Sequence, residues 1–454
     1  MKLSRDEATK LYGVDGSIDE RRDAFVDGDV PVAVYGLGKM GLPLAVVYAG
    51  VTGNVTGVDI DEDVVGRIND GDCPVEGEPR LPELTSAAVN AGAFRASADP
   101  PTTAGDASVH VVIVPTTLRN DRHPDLSNLR TAVRDIAAGL DEGDMVVIES
   151  TVPPRTCEDV VKPLLVEESG LAADQFGLAF CPERTSSGRA LKDIRGAYPK
   201  VVGGIDDEST AVAEMIYGEL TVNDVVPVSD ATTAECVKVF EGVYRDVNIA
   251  LANELGSFTD ELGVDVNEAI EVANTQPFCD IHDPGVGVGG HCIPYYPYFL
   301  INELASDAPL LRTAREVNDE MPIFAVRKLV EGLQRAGKHV EDSAVLVLGV
   351  TYRAGVAETR KTPALPIAEK LNQFGATVVG VDPMIDDFSE FDMYGASLDS
   401  VTDLDLDGAI LVTAHEEFDD LDWNAFDDDL VVVDGRDALD LDRTHHHVYT
   451  IGSG

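Results

Sequence analysis

A chain of 454 residues is too long for one hydrophobic core, so two or three domains are expected. Its 82 acidic and 34 basic residues give a formal net charge of −48, and without a basic stripe to meet phosphates, binding to nucleic acid is disfavoured. With 44% hydrophobic residues the chain can bury cores, so acids scattered through "DLDLDG" (403–408) and "EEFDDLDWNAFDDD" (416–429) read as a folded surface rather than a disordered tail.

Residues 1–29 read as an acidic, partly helical N-terminal extension without an apolar signal core. From 30 to 205, β-branched runs ("VPVAVY", "NVTGVDI", "VHVVIVPT", "DMVVIEST", "FGLAFCPE") alternate with helical stretches, the pattern of a parallel sheet wound on both faces. Residues 206–332 change character: "TTAECVKVFEGVYRDVNIALANELGSFTDELG" carries apolar residues at helical spacing and predicts one long helix in a helical middle domain. From 333 to 454 strand patterns return in "SAVLVLGVTY", "ATVVGVDP", "LDGAILVT" and "DLVVVDG". The expected fold class is α/β: two Rossmann-like, doubly wound parallel-sheet domains joined by a helical domain with a long central helix. The six cysteines lack a C-x-x-C pair, so neither a disulfide framework nor a metal centre is expected, and reduced thiols point to the cytoplasm. The His445–His447 run invites a metal reading, but three neighbours near a C-terminus are expected to have no role. No apolar stretch approaches the length of a membrane span.

Gly36, Gly38 and Gly41 form G-x-G-x-x-G between a predicted strand and helix, with Asp59 at the end of the next strand. The glycines suit a tight turn, the approach of a pyrophosphate and close helix packing, and the acid suits ribose hydroxyls. NAD is therefore favoured over NADP; the bland alternative is a glycine turn that binds something else. Lys238 on the long helix reads alone as a snorkelling surface lysine. Positions 238, 242 and 245 share one helical face, however, so Lys238 with Arg245 suits an anionic substrate or an oxyanion. Glu183, after a strand end and a proline, could be a general base or an arginine's partner. Arg353 and Arg360 follow the first strand of the last domain, where guanidinium forks suit phosphate; a solvated loop is the alternative. Cys292 lies in "GVGGHCIPYYPYFL", where glycines admit a ligand and prolines stiffen the loop, so it is either a poised nucleophile or an ordinary buried thiol.

Taken together, "GLGKMGLP", "VPTT", "ESTVPPRT", "CPER", "AECVKVFEGVYRDVNIALANEL", "GVGVGGHC", "TAREVNDEMP" and "GVTYRAGVAETRKTPAL" resemble the nucleotide-sugar 6-dehydrogenase family from about residue 30 to 440. That family includes the UDP-glucose and UDP-N-acetylmannosamine dehydrogenases. The resemblance implies oxidation of a sugar C6 alcohol to a carboxylate with two NAD, Cys292 trapping the aldehyde and carrying a thioester that water opens. It implies that Lys238 assists proton transfer and stabilises the oxyanion, and that Glu183 helps activate water. Gly36, Gly38, Lys39, Met40, Gly41, Asp59, Thr116 and Thr151 would be cofactor contacts. Arg184, Thr185, Lys238, Arg245, Gly289, Tyr352, Arg353 and Arg360 would be contacts to the UDP-sugar. The family's counterpart of Arg360 reaches a neighbouring subunit, which implies a homodimer or larger assembly.

Four departures stand out. Gly242 replaces a usual asparagine, Tyr296 a usual aspartate, and Arg155 a usual glycine; Gln276 and Phe278 stand where related enzymes have His-Pro-Arg. "GGHC" followed by Ile-Pro favours the N-acetylhexosamine branch, with UDP-N-acetylmannosamine as substrate ahead of UDP-glucose or UDP-N-acetylglucosamine. A two-electron hydroxyacid dehydrogenase, which has no need of Cys292, and an inactive binding protein are the competing readings. The acidic surface itself reads as adaptation to a salt-rich cytoplasm, with a nucleic-acid mimic as the alternative.

Overall fold

The structure, a computed structural model, describes residues 9–186 and 188–454; residues 1–8 of the expected extension lie outside the described residues. The chain forms two compact units, Met1–Glu241 with Tyr298–Glu303, and Gly242–Pro297 with Leu304–Gly454.

In the first unit, eight strands among the described residues line up as Val225–Pro227, Lys200–Gly204, Gly177–Phe180, Met145–Ile148, Val109–Val112, Val32–Tyr35, Val55–Val58 and Phe94–Ser97. Neighbours run parallel except Gly177–Phe180 with Lys200–Gly204. Strand Val32–Tyr35 is buried throughout: Val32 and Val34 enter the core on one face, Ala33 and Tyr35 the core on the other. That period-2 division of an unbroken apolar run is the mark of a strand covered on both sides. The sheet reaches Pro227, beyond the boundary expected at residue 205, because Val225–Pro227 pairs with Lys200–Gly204. Sequence reading also passed over Phe94–Ser97 and Lys200–Gly204, which are four and five residues long, the first carrying an exposed Arg95 and the second ending on two glycines.

The described part of the N-terminal extension packs as part of this unit. Leu11 lies in the core, the Tyr12 hydroxyl donates to Asp206 at 2.9 Å, and Lys10 pairs with the buried Asp144. Helix Ile18–Val26 opens on a capping box in which Ser17 and Glu20 satisfy each other's amides.

In the second unit the strands are ordered Tyr394–Gly395, Thr377–Val381, Ala344–Leu348, Gly408–Leu411, Val431–Asp434 and His447–Thr450, all parallel. The boundary expected at 332 falls inside helix Pro309–Arg335. Met321, Phe324, Ala325, Leu329 and Leu333 of that helix belong to the core of this sheet, so the chain has no break there. His446 departs from the expectation for the histidine run: buried, its Nδ1 accepts from the Leu430 amide at 3.1 Å and its Nε2 donates to the Trp423 carbonyl at 2.8 Å, anchoring the edge strand. At the carboxyl end of this sheet Asp382 Oδ2 accepts from the Val350 and Thr351 amides at 2.7 and 2.8 Å and from the Thr351 hydroxyl at 2.9 Å, with His415 Nε2 at 3.2 Å.

The long helix is Ala231–Ser257, as its periodicity predicts. From Gly242 on it is tied into the second unit by a buried polar ladder. Asp246 pairs with Arg315 at 2.5 Å and accepts from Asn318 at 2.8 Å; Asn253 donates to Asn318 and accepts from the Gly285 amide, both at 2.8 Å. Buried charges persist only when paired and bonded in this way.

The second turn of the helix carries Glu235, which is fully buried. Its carboxylate accepts from the amides of Arg155 at 2.5 Å and Cys157 at 2.8 Å, where a five-residue turn of π-helix, Cys157–Val161, begins. Burial pushes the Glu235 carboxyl up from about 4.5 to about 7, outweighing the amide bonds that favour its charge. The folded state therefore keeps a proton that the unfolded chain releases near pH 4.5. This group's stabilising contribution is whole below that pH and declines as pH rises to about 7. Chemical denaturation of wild type and Glu235→Gln should show their stability difference moving against wild type by about 3 kcal/mol between pH 4.5 and 8. A difference that stays flat with pH would show that Glu235 is ionised throughout.

Candidate functional site

Strand Val32–Tyr35 lies between Val55–Val58, which follows it, and Val109–Val112, which comes later, so the winding reverses direction at its carboxyl end. A ligand crevice forms at such a point. Each glycine there has its own reason. Gly36 has φ +95, and a Cβ would meet the Ile113 carbonyl at 2.8 Å; at Gly41 a Cβ would strike the Gly36 carbonyl. At Gly38 a Cβ would meet nothing within 4 Å, so the turn is open where a pyrophosphate would lie. Asp59 closes the turn's far side: Oδ2 accepts from the Leu37 amide at 2.8 Å and Oδ1 from the Asp61 amide at 3.1 Å. The open cradle and the carboxylate beside it fit a dinucleotide. Thr116 donates to the Thr151 carbonyl at 2.5 Å, which brings these two expected cofactor residues together on neighbouring strand ends.

In the same unit, Met40, Glu183, Arg184 and Thr185 line one cleft, floored by Glu149, Lys200 and Tyr217. Glu149 is buried between the Tyr217 hydroxyl and Lys200 Nζ, the latter at 2.9 Å; Lys200 also donates to the Pro182 carbonyl at 3.2 Å. This network supports the residue before Glu183. Lys238 is no snorkelling lysine: its side chain is 8% exposed, Nζ donates to the Glu183 backbone carbonyl, and Glu183 Oε2 lies 3.7 Å away. Glu183 Oε1 in turn accepts from the Thr185 amide. A buried ammonium beside a carboxylate is equipped to shuttle protons and to meet developing negative charge. Arg184 is engaged by Glu241 at 2.5 Å and by the Pro199 carbonyl at 2.8 Å. Arg245, in the second unit, is exposed, so the two expected cations differ in burial.

The second unit gathers the other expected residues. Cys292 is exposed, whereas Cys73, Cys157 and Cys181 are buried. A Cβ on Gly289 would meet Tyr352 Cβ at 2.8 Å, and one on Gly290, at φ +91, would meet the Tyr352 ring at 2.9 Å; the Gly290 amide donates to the Arg360 carbonyl at 2.9 Å. The glycines let the Cys292 segment lie directly on the Tyr352–Arg360 loop. Burial first, then the Glu358 carboxylate, pushes the Tyr352 phenol up. Arg353 is exposed, and Arg360 lies 3.6 Å from Glu358.

Some residues of these neighbourhoods escaped the sequence. Glu235 lies one turn before Lys238 on the helix, and that spacing was a usable signal. Arg436 follows strand Val431–Asp434 and bonds the Val412 carbonyl at 2.7 Å and the Gly287 carbonyl at 3.1 Å; burial pushes it down to about 10. An arginine directly after a strand, in "VVVDGR", was the available cue.

Three family models cover most of the chain. The NAD binding domain of the UDP-glucose/GDP-mannose dehydrogenase family matches residues 30–221, its central domain 232–320 and its UDP binding domain 346–441. A UDP-N-acetyl-D-mannosamine dehydrogenase of Pyrococcus horikoshii is 36% identical over 413 residues, 90% of this chain and 96% of the relative. An NDP-N-acetyl-D-galactosaminuronic acid dehydrogenase of Ralstonia nicotianae is 35% identical over 431 residues, 91% of this chain and 97% of the relative. A solved structure of the UDP-D-ManNAc dehydrogenase from Pyrococcus horikoshii superposes with a TM-score of 0.84 at 34% identity, covering 93% of this chain and 99% of that one. With its open dinucleotide turn and its buried lysine–glutamate pair, the chain belongs to the UDP-glucose/GDP-mannose dehydrogenase family of NAD-dependent oxidoreductases.

Proposed function

We propose that the protein oxidises the C6 alcohol of UDP-N-acetyl-D-mannosamine to the carboxylate. The observation that carries this reading is the glycine loop that presents an exposed Cys292 on the Tyr352–Arg360 loop, in a chain with 36% identity to a UDP-N-acetyl-D-mannosamine dehydrogenase. NAD, when bound at the Gly36–Gly41 turn, accepts a hydride in each of two oxidations. The remaining work falls to side chains. Lys238 holds or relays the proton leaving the alcohol and stabilises the oxyanion. The Cys292 thiolate adds to the aldehyde carbon, forming a C–S bond and a thiohemiacetal that stays bound while cofactor exchanges. Loss of the second hydride leaves a thioester. Water activated by Glu183 then breaks the C–S bond, giving the carboxylate and the free thiol. Arg184, Thr185, Arg245, Gly289, Tyr352, Arg353 and Arg360 support a reading as the UDP-sugar's contacts by their residue types and positions.

A homodimer is part of the proposal. Tyr244 and Leu251 on the long helix and Phe258 directly after it recur at seven-residue intervals and are 54%, 46% and 40% exposed. Such a stripe fits a second copy of the same helix. No described helix is long and apolar enough to cross a membrane, and the extreme acidity supports work in a salt-rich cytoplasm.

NADH yield from limiting UDP-N-acetylmannosamine in molar salt should be about two per sugar, and Cys292→Ala should form no carboxylate. One NADH per sugar, or a fully active alanine variant, would favour the two-electron hydroxyacid type of reaction; faster turnover of UDP-glucose would move the substrate to the other branch. Light scattering should find a dimer that Leu251→Glu converts to monomer, and a monomeric wild type would refute the stripe's role. Screening reaches a few ångströms in molar salt, so the melting temperature should climb steeply from low to molar salt. A melt insensitive to salt would argue against the salt-rich setting.

A further inference from the structure

Gly242 sits inside a 27-residue helix and is buried, although a glycine there costs the helix about 1 kcal/mol relative to alanine. Its backbone dihedrals need no glycine, since φ is not positive. The reason lies across from it: a Cβ at 242 would strike the ring of Tyr296, with Cε2 and Cγ both at 3.1 Å. The ring, 5% exposed, lies against the bare helix backbone. Tyr296 is also the residue that ends the Cys292 turn, since the amides of Tyr295 and Tyr296 both donate to the Cys292 carbonyl, at 3.1 and 3.0 Å. Upstream, Gly289 and Gly290 bed the same segment on Tyr352 and the Arg360 carbonyl. The nucleophile's segment is therefore clamped on one side by the Tyr352 loop and on the other by an aromatic ring set into a notch of the helix.

We propose that Gly242 and Tyr296 are a matched positioning pair that fixes Cys292 against the long helix, Tyr296 acting through its ring and Gly242 by having no side chain. The two departures from the family pattern are then one change: the ring occupies the space that a side chain at 242 would take. The pair deepens the reading of Cys292 as the nucleophile and rests on it. A misplacement of a reacting atom by about 1 Å can cost about a hundredfold in rate, so even a methyl group at 242 should be felt at Cys292.

Five proteins test this: wild type, Gly242→Ala, Tyr296→Phe, Tyr296→Ala and the double variant with Gly242→Ala in the Tyr296→Ala background. Peptide-level mass spectrometry would follow alkylation of Cys292 by iodoacetamide against pH. Tyr296→Phe, which keeps the ring, should overlay wild type, while Gly242→Ala should depart from it by about threefold or more, with kcat down about tenfold and KM for NAD unchanged. In the Tyr296→Ala background the notch is empty, so Gly242→Ala should bring no further change in the alkylation profile and no loss of melting temperature. The same loss in both backgrounds, an unaltered Gly242→Ala, or a Tyr296→Phe as altered as Gly242→Ala would each overturn the pair. Alkylation needs no turnover: a wild type that forms no NADH would count against the proposed reaction, while the alkylation profiles would still decide the pair.

Discussion

Buried carboxylates that collect backbone amides hold the turns of this molecule. A charge taken from water costs several kcal/mol unless it is met, and amide donors to an ionised acceptor return about 1.5–3 kcal/mol each. Glu78 receives the Ala190 and Leu191 amides at 3.0 and 3.1 Å, opening helix Ala190–Gly196. Asp434 receives those of Arg436, Ala438 and Leu439 at 2.8–2.9 Å. Glu235, whose carboxyl burial pushes up, receives two amides of the turn after Thr151 from the second turn of the long helix that carries Lys238. The acids of this chain thus serve two ends: most crowd the surface, while a few lie inside as acceptors at the points where chain direction changes.

Much of the architecture could be read from residue order because central strands are buried on both faces and spell themselves as unbroken apolar runs rich in valine, as Val32–Tyr35 and Ala344–Leu348 do. Edge strands have no such signature. His447–Thr450 is half solvent-facing and polar, and its place was fixed by His446 bonding at a distance in sequence. The dinucleotide turn was legible since its three glycines and Asp59 are local. The burial of Lys238 was not, for it depends on Glu183, 55 residues earlier in the chain and brought near by the sheet. Gly242 looked like the loss of a useful side chain until its neighbour was seen to be Tyr296.

Arg155 is a different kind of departure. It occupies φ +75, in the left-handed region that glycine favours, at the head of the π-helical turn. For a residue with a Cβ that conformation costs about 1–2 kcal/mol. Against it stand the bidentate bonds from its guanidinium to Asp159, both 2.7 Å but solvent-exposed and therefore weak, and the lower entropy of arginine over glycine in the unfolded chain, about 0.5–1 kcal/mol. The terms nearly cancel, which explains how the position tolerates an arginine.

The two sheets repeat one device and finish it differently. "VTGVDI" and "VVGVDP" each end a second strand on an aspartate that accepts an amide from the turn after the first strand: Leu37 to Asp59 at 2.8 Å, Val350 to Asp382 at 2.7 Å. Around Asp59 the turn is two glycines with open space beyond Gly38. Around Asp382 the Thr351 hydroxyl and the His415 ring crowd the same carboxylate oxygen, and all three side chains are buried. One socket is left open and its twin is plugged, so of these two turns it is the first that leaves room for a pyrophosphate.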